Sequence, residues 1–351
     1  MLFDLYWRAV GLPLSRLKGL VIDALPFSIV EVALWGGTAA TLVLALSFLP
    51  RARSTFLRRR GVRAAALVAG PVFLIALGLG QGAFPWSLAP TASREPLTAR
   101  LGADSLDEET FRAWVAARAD SLQASLARPG GWDAHLALRE DEALRACDTL
   151  LDTVLRLLDL PPGRTVRAFK TMGPWTTTLG LAYGGPAFHD PFFGEIAIVG
   201  DDAMPAPRHW RLIAACHEAA HAKGFTREMD AEILTQLALR RASDARLRVV
   251  GDIHFLRKAG IKITWPDSLI AESARVRERR GAAEARQPVV RALRRFSERI
   301  GFQNSAAKYG ARAAADAWNP RHPFFATVRG AEAALERDTA ENDAKKNGER
   351  P

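Results

Sequence analysis

The chain has 351 residues, 48 Lys/Arg against 38 Asp/Glu, and a formal net charge of +10. An apolar content of 48% excludes a wholly disordered chain, and two cysteines exclude a disulfide framework. Nine of the basic residues and only three acids fall at or before Phe84, so the remainder is too mildly basic for a nucleic-acid footprint, and no nucleic-acid partner is expected.

Residues 1–25 carry apolar stretches broken by charge and proline, which predicts an N-terminal interfacial segment or a partial span; no cleavable signal peptide is evident. Residues 26–85 predict two transmembrane helices. The first uncharged run is Val32–Leu49; the second is Ala64–Ser93, with its apolar core at Ala64–Phe84. Each approaches the roughly 20 residues needed to cross a bilayer and lacks a polar face. The loop between them holds Arg51, Arg53, Arg58, Arg59, Arg60 and Arg63 and no acid. The positive-inside rule makes that loop cytoplasmic and places everything after Phe84 outside. The expected location is therefore the bacterial cell membrane, multi-pass, with an extracytoplasmic domain over residues 86–335 and the bilayer as a partner.

That domain follows a Pro/Ser/Thr-rich linker, Pro85–Pro96. Ser105 and Glu108 have the spacing of a capping box, and the helix they open carries Phe111, Val115, Ala119, Leu122 and Leu126 on one face. A second helix is predicted over Asp141–Leu158. Gly194–Gly200 then reads as a short strand bounded by glycines. A helix follows from Arg208 to Lys223, closed by Gly224, and others from Arg227 to about Ala242 and over Asp244–Leu256. The Arg-rich stretch from Arg275 to Arg295 predicts a solvated helix face. Glu336–Pro351, dense in charge and without apolar periodicity, predicts a disordered tail. The fold class expected is mainly α with a small β element.

One motif carries chemistry. His217, Glu218 and His221 form His-Glu-x-x-His inside a predicted helix. Residues four apart lie one turn above each other, so the two imidazoles can hold one zinc ion from the same side. Glu218 follows the first of them, where its carboxylate can deprotonate a water at the metal's open position and later protonate the leaving amine. Arg227 occupies the spacing at which a third histidine would follow, so the third ligand is an acid. Asp230 shares a face with Ile233, Leu234 and Leu237, and an inward acid needs a partner. Asp230 is therefore the expected ligand, with Glu228 and Glu232 as alternatives on the polar side. Cys216 precedes the motif in an apolar run, as expected of a buried small side chain. His254, beside Phe255 and Leu256, is expected as a packing residue.

The run from Trp175 through Tyr183-Gly-Gly-Pro-Ala-Phe-His189 to Glu195, the run from Cys216 to Asp230, and Leu25-Pro-Phe-Ser28 resemble a bacterial membrane-protein family, domain of unknown function 3810. The resemblance covers most of the chain. It implies N-terminal spans and a helical zincin-like core. That family usually has one more span, so residues 1–25 resemble a shortened version of it or a late start site, and a third span at the start would put the N-terminus in the cytoplasm. In it the inward acid is usually Glu, as in glutamate-type zincins; Asp230 departs from that. A zincin-like core further implies that Glu195, Ile196 and Ala197 belong to an edge strand that binds extended substrate. It makes Tyr183 and His189 candidates for steadying an oxyanion. The expected function is a membrane-anchored zinc metallopeptidase-like hydrolase acting on a peptide or envelope protein. The alternative is a non-catalytic envelope protein that uses its zinc site structurally to bind a partner.

Overall fold

In a computed structural model, the described residues are 12–48, 96–101, 106–127, 140–160, 163–183, 187–189, 195–200, 208–225, 227–261, 264–265, 267–285, 287–288, 291–292, 295 and 322–346. They are mainly helical, with one small sheet.

Helix α1 (Leu12–Ala24) and helix α2 (Ile29–Phe48) come first. Ser28 Oγ accepts from the amide of Glu31 at 3.0 Å, which starts α2 three residues before the apolar run begins. The predicted second run, Ala64–Phe84, lies outside the described residues, as do the side chains of α2 beyond Val43. Among the described residues no helix is long and apolar enough to cross a membrane.

A short helix, α3 (Leu97–Arg100), leads to α4 (Glu108–Leu126). The cap of α4 is Asp107, whose side chain accepts from the Thr110 amide at 2.8 Å. The predicted cap, Ser105, lies outside the described residues. Phe111, Val115 and Leu122 of α4 are buried as their spacing demanded. Helix α5 (Glu140–Leu157) buries Leu144, Cys147, Leu151, Val154 and Leu155 along one stripe.

The sheet contains β1 (Lys170–Thr171), β2 (Ala187–His189) and β3 (Ile196–Ile198), with helix α6 (Pro174–Tyr183) between β1 and β2. Its order is β1-β3-β2. β1 runs parallel to β3 and pairs Lys170 with Ala197; β2 runs antiparallel and pairs His189 with Ile196. β3 is thus the central strand and not the expected edge. Ile196, Ala197 and Ile198 are all buried, with ladders on both sides.

Helix α7 (Arg208–Ala222) sits at the centre, packed against α5, β2 and β3 and against two helices that follow it, α8 (Glu228–Arg240) and α9 (Ala245–Lys258). Its alanines permit the close approach: Ala215, Ala219 and Ala220 are buried. Cys216 of α7 and Cys147 of α5 form a disulfide with a Cα–Cα separation of 5.5 Å, which ties the motif helix to α5. Helix α10 (Asp267–Ala285) keeps Arg275, Arg277 and Arg279 exposed, as a solvated face should. Helix α11 (Pro323–Lys346) packs Phe324, Phe325, Val328 and Leu335 into the core beside α8. It continues helical through Glu336–Lys346, where disorder was expected. The packed half supplies the nucleus, and Ala, Glu and Lys then propagate it.

Candidate metal centre

His217 and His221 lie one turn apart on α7, and their Nε2 atoms approach each other to 3.0 Å. The C-terminus of α7 sets one of the two rings. Gly224 takes φ 105°, open to glycine at little cost, and its amide closes on the His221 carbonyl at 2.8 Å. The chain then turns so that the Phe225 carbonyl accepts from His221 Nδ1 at 2.6 Å. With its proton on Nδ1, His221 presents a bare lone pair at Nε2.

Glu228 opens α8 and completes the group. Its Oε2 accepts from His217 Nε2 at 3.0 Å, and its Oε1 lies 3.6 Å from His221 Nε2. Ligand atoms of His217, His221 and Glu228 all fall within 4.8 Å of one another. Tetrahedral zinc with bonds near 2.0–2.1 Å needs donors about 3.3 Å apart. The residues therefore fit the ion, and they do so with two imidazoles and a carboxylate, a donor set zinc accepts.

Asp230, the expected third ligand, is not brought to the histidines. It faces inward as its periodicity required and is 1% exposed. The partner its burial demands is a backbone amide: Leu97 N–H donates to Oδ1 at 3.0 Å. Arg227 stands 3.9 Å from Oδ2. Burial pushes the Asp230 carboxyl up, against the pull of that amide and of Arg227.

Around His217, His221 and Glu228 lies a supporting layer that the sequence did not reveal. Glu232, one turn past Glu228, places Oε1 3.7 Å from His217 Nδ1. Its Oε2 accepts from His254 Nε2 at 2.8 Å, and Lys258 Nζ is 3.1 Å from Oε1. His254 thus orients a carboxylate rather than merely packing, and burial holds its ring low against that carboxylate. Burial opposes ionisation of Glu232, but Lys258 and His254 hold it well below the usual carboxylate range. The signal in the sequence was the four-residue spacing from Glu228 to Glu232.

The field at the histidines is negative. Burial alone would lower His217, yet Glu228, Glu232 and Glu218 together raise it to about 9. The hydrogen bond from His217 comes first among the influences that hold Glu228 far below its ordinary range, with the nearness of His221 adding to it. A site that favours a proton on a buried imidazole this strongly also favours a cation.

Glu218 is half-buried beside the pair, and burial raises its carboxyl while the histidines pull it down. The backbone amide of His189 donates to it. β2 therefore lies along the motif helix, with the His189 ring nearly parallel to His221 at 6.4 Å. The side chain of Tyr183 lies outside the described residues. Glu195 is not at the site's edge: its Oε2 accepts from the amides of Ile29 and Val30, at 2.8 and 3.4 Å, and so caps α2.

The sequence profile of the family described as protein of unknown function (DUF3810) matches residues 6–305. The chain belongs to this family. No curated protein and no solved structure matches the chain. The match spans both the N-terminal helices and the candidate centre.

Proposed function

We propose that this member of the family is a membrane-anchored, zinc-dependent metallopeptidase-like hydrolase with a zincin-like core and an extracytoplasmic site. The single observation that carries the reading is the convergence of His217 Nε2, His221 Nε2 and a Glu228 oxygen beside Glu218. His217, His221 and Glu228 would hold the ion, with Glu232 steering the first of them. Bound zinc lowers the pKa of water and polarises a carbonyl.

The protein's own groups do the rest. Glu218, kept up by burial, is a carboxylate suited to take a proton from the attacking water and deliver it to the leaving nitrogen. The outer edge of β2 carries no strand among the described residues, so an extended peptide can pair with Ala187–His189 next to Glu218. That role passes from β3, whose ladders are already filled. His189 and Tyr183 remain the candidates to steady an oxyanion. The extracytoplasmic location is supported by the Arg-rich loop and by the Cys147–Cys216 disulfide, which is at home in an oxidising compartment. The uncharged runs Val32–Leu49 and Ala64–Ser93 support the anchor.

Glu218→Gln tests the reading. Zinc content should stay near one per chain while cleavage of a peptide library falls by at least about a hundredfold. Undiminished cleavage in the variant would remove Glu218 as the base. Absence of zinc from wild type purified without chelator would remove the peptidase and leave a partner-binding envelope protein.

A further inference from the structure

The connection between α1 and α2 is bonded into the domain at several points. Asp23 Oδ2 accepts from the Arg167 amide at 3.0 Å and pairs with the buried Arg164 at 3.3 Å. Lys170 Nζ donates to the carbonyls of Asp23 and Leu25. Two carboxylates then exchange caps. Glu31, in the first turn of α2, accepts from the amides of Trp175 and Thr176 at 2.8 and 2.9 Å and so closes the N-terminus of α6. Glu195 closes the N-terminus of α2. The start of the first predicted span is therefore a fixed part of the domain, not the end of a tether.

This attachment limits how far the candidate centre can lie from the start of that predicted span. From the Ile29 amide the path runs through Glu195 to Ile196, across one strand pairing to His189, and from the His189 amide to Glu218. That path is on the order of 20 Å, and the straight line is shorter. Trp35, farther along α2, meets Trp175 of α6 edge to face at 6.0 Å. Indoles favour the bilayer interface, and Trp35 lies about 9 Å along the helix from Ile29. Leu20, Val21, Phe27 and Val32, flanking the bonded connection, are exposed apolar side chains suited to lipid.

We infer that the substrate of this centre is a polypeptide anchored in the same membrane and cut in the segment next to the bilayer, within about ten residues of the hydrocarbon boundary. An extended chain covers 20 Å in about six residues, so such a segment reaches the outer edge of β2. A folded soluble protein would have to push a loop against the lipid surface to reach the same place. This rests on the proposed peptidase reading and names its substrate class. The reaction is ordinary hydrolysis: the C–N bond breaks, the water oxygen joins the acyl carbon, and Glu218 carries the proton to the released amine.

The test uses the full chain in phosphatidylcholine–phosphatidylglycerol vesicles and has two arms. In the first, a fluorophore on Arg227→Cys, beside Glu228, transfers energy to headgroup-labelled lipid. A height within about 30 Å of the bilayer surface is expected, and one above about 50 Å overturns the placement, given a headgroup layer of about 5–8 Å. In the second, a randomised peptide segment is joined directly to a single-span anchor. It is compared with the same segments set roughly 45 Å farther out on a polyproline spacer of about fifteen residues, and with the same segments free in solution. Cutting of the close segments at least tenfold faster than the others is expected. Equal cutting of free segments overturns the substrate class and leaves the peptidase intact. No cutting of any segment by zinc-loaded chain overturns both, and the height measurement then still reports whether the docking is real.

Discussion

Glu228 and Asp230 stand two residues apart on α8 and face opposite ways. Glu228 is 65% exposed and meets both histidines, whereas Asp230 is buried and accepts from the amide of Leu97. The two substitutions should therefore separate cleanly. Glu228→Ala is expected to lower zinc affinity by about a hundredfold or more with little change in the stability of the metal-free fold. Asp230→Ala leaves a buried amide unpaired and should cost about 1–3 kcal/mol while zinc content is retained. Metal analysis and urea unfolding read the two effects. Zinc lost from Asp230→Ala but kept by Glu228→Ala would reverse the ligand assignment.

Glu232 would act on a bound ion only through His217. Outer partners of metal-binding histidines typically change affinity by roughly ten- to a hundredfold. Glu232→Gln is expected to weaken zinc by that amount. Competition with a coloured chelator measures it, and an unchanged constant would reduce Glu232 to a bystander of His254 and Lys258.

Gly224 is a conformational requirement. At φ 105° an alanine would be strained by about 1–2 kcal/mol. Relief of that strain would also swing the Phe225 carbonyl off His221 Nδ1. Gly224→Ala should thus lose stability and zinc affinity together. Stability lost with affinity unchanged would uncouple the turn from the ring.

The disulfide joins α5 to the motif helix across a separation of 69 residues. Replacing both Cys147 and Cys216 by alanine is expected to cost about 2–4 kcal/mol. Because both sulfurs are buried, mild reductant should act slowly on the folded chain. Denaturant titration of the protein with and without reductant checks both points.

His209 supplies a pH dependence on the acid side. Burial first, then Arg257 and His254, lowers its ring from 6.5 to about 4. The unfolded chain therefore takes up a proton below pH 6.5 that the folded chain refuses. Stability contributed by the neutral ring is complete above pH 6.5 and falls as pH drops towards 4, by roughly 3 kcal/mol in all. His209→Gln should flatten that part of the stability profile when both proteins are measured metal-free. An equally steep loss in the variant would assign it to other groups.

Much of this was legible along the chain because it is local. Four-residue spacing brings His217 and His221 together on any helix, Gly224 marks the end of that helix, and the inward face of Asp230 follows from its position among Ile233, Leu234 and Leu237. What an inward acid meets is not local. The amide that claims Asp230 comes from Leu97, 133 residues earlier, and it is Glu228 that meets the two histidines, although its exposed face gave no hint of them across the α7–α8 turn. β3 is buried on both sides only because β1 and β2 reach it from either direction, so a glycine-bounded strand could not be told centre from edge. Glu31 and Glu195 show the same limit: each reads alone as an ordinary acid, and only folding brings each carboxylate to the open amides of a distant helix, where an unpaired N-terminus most favours negative charge.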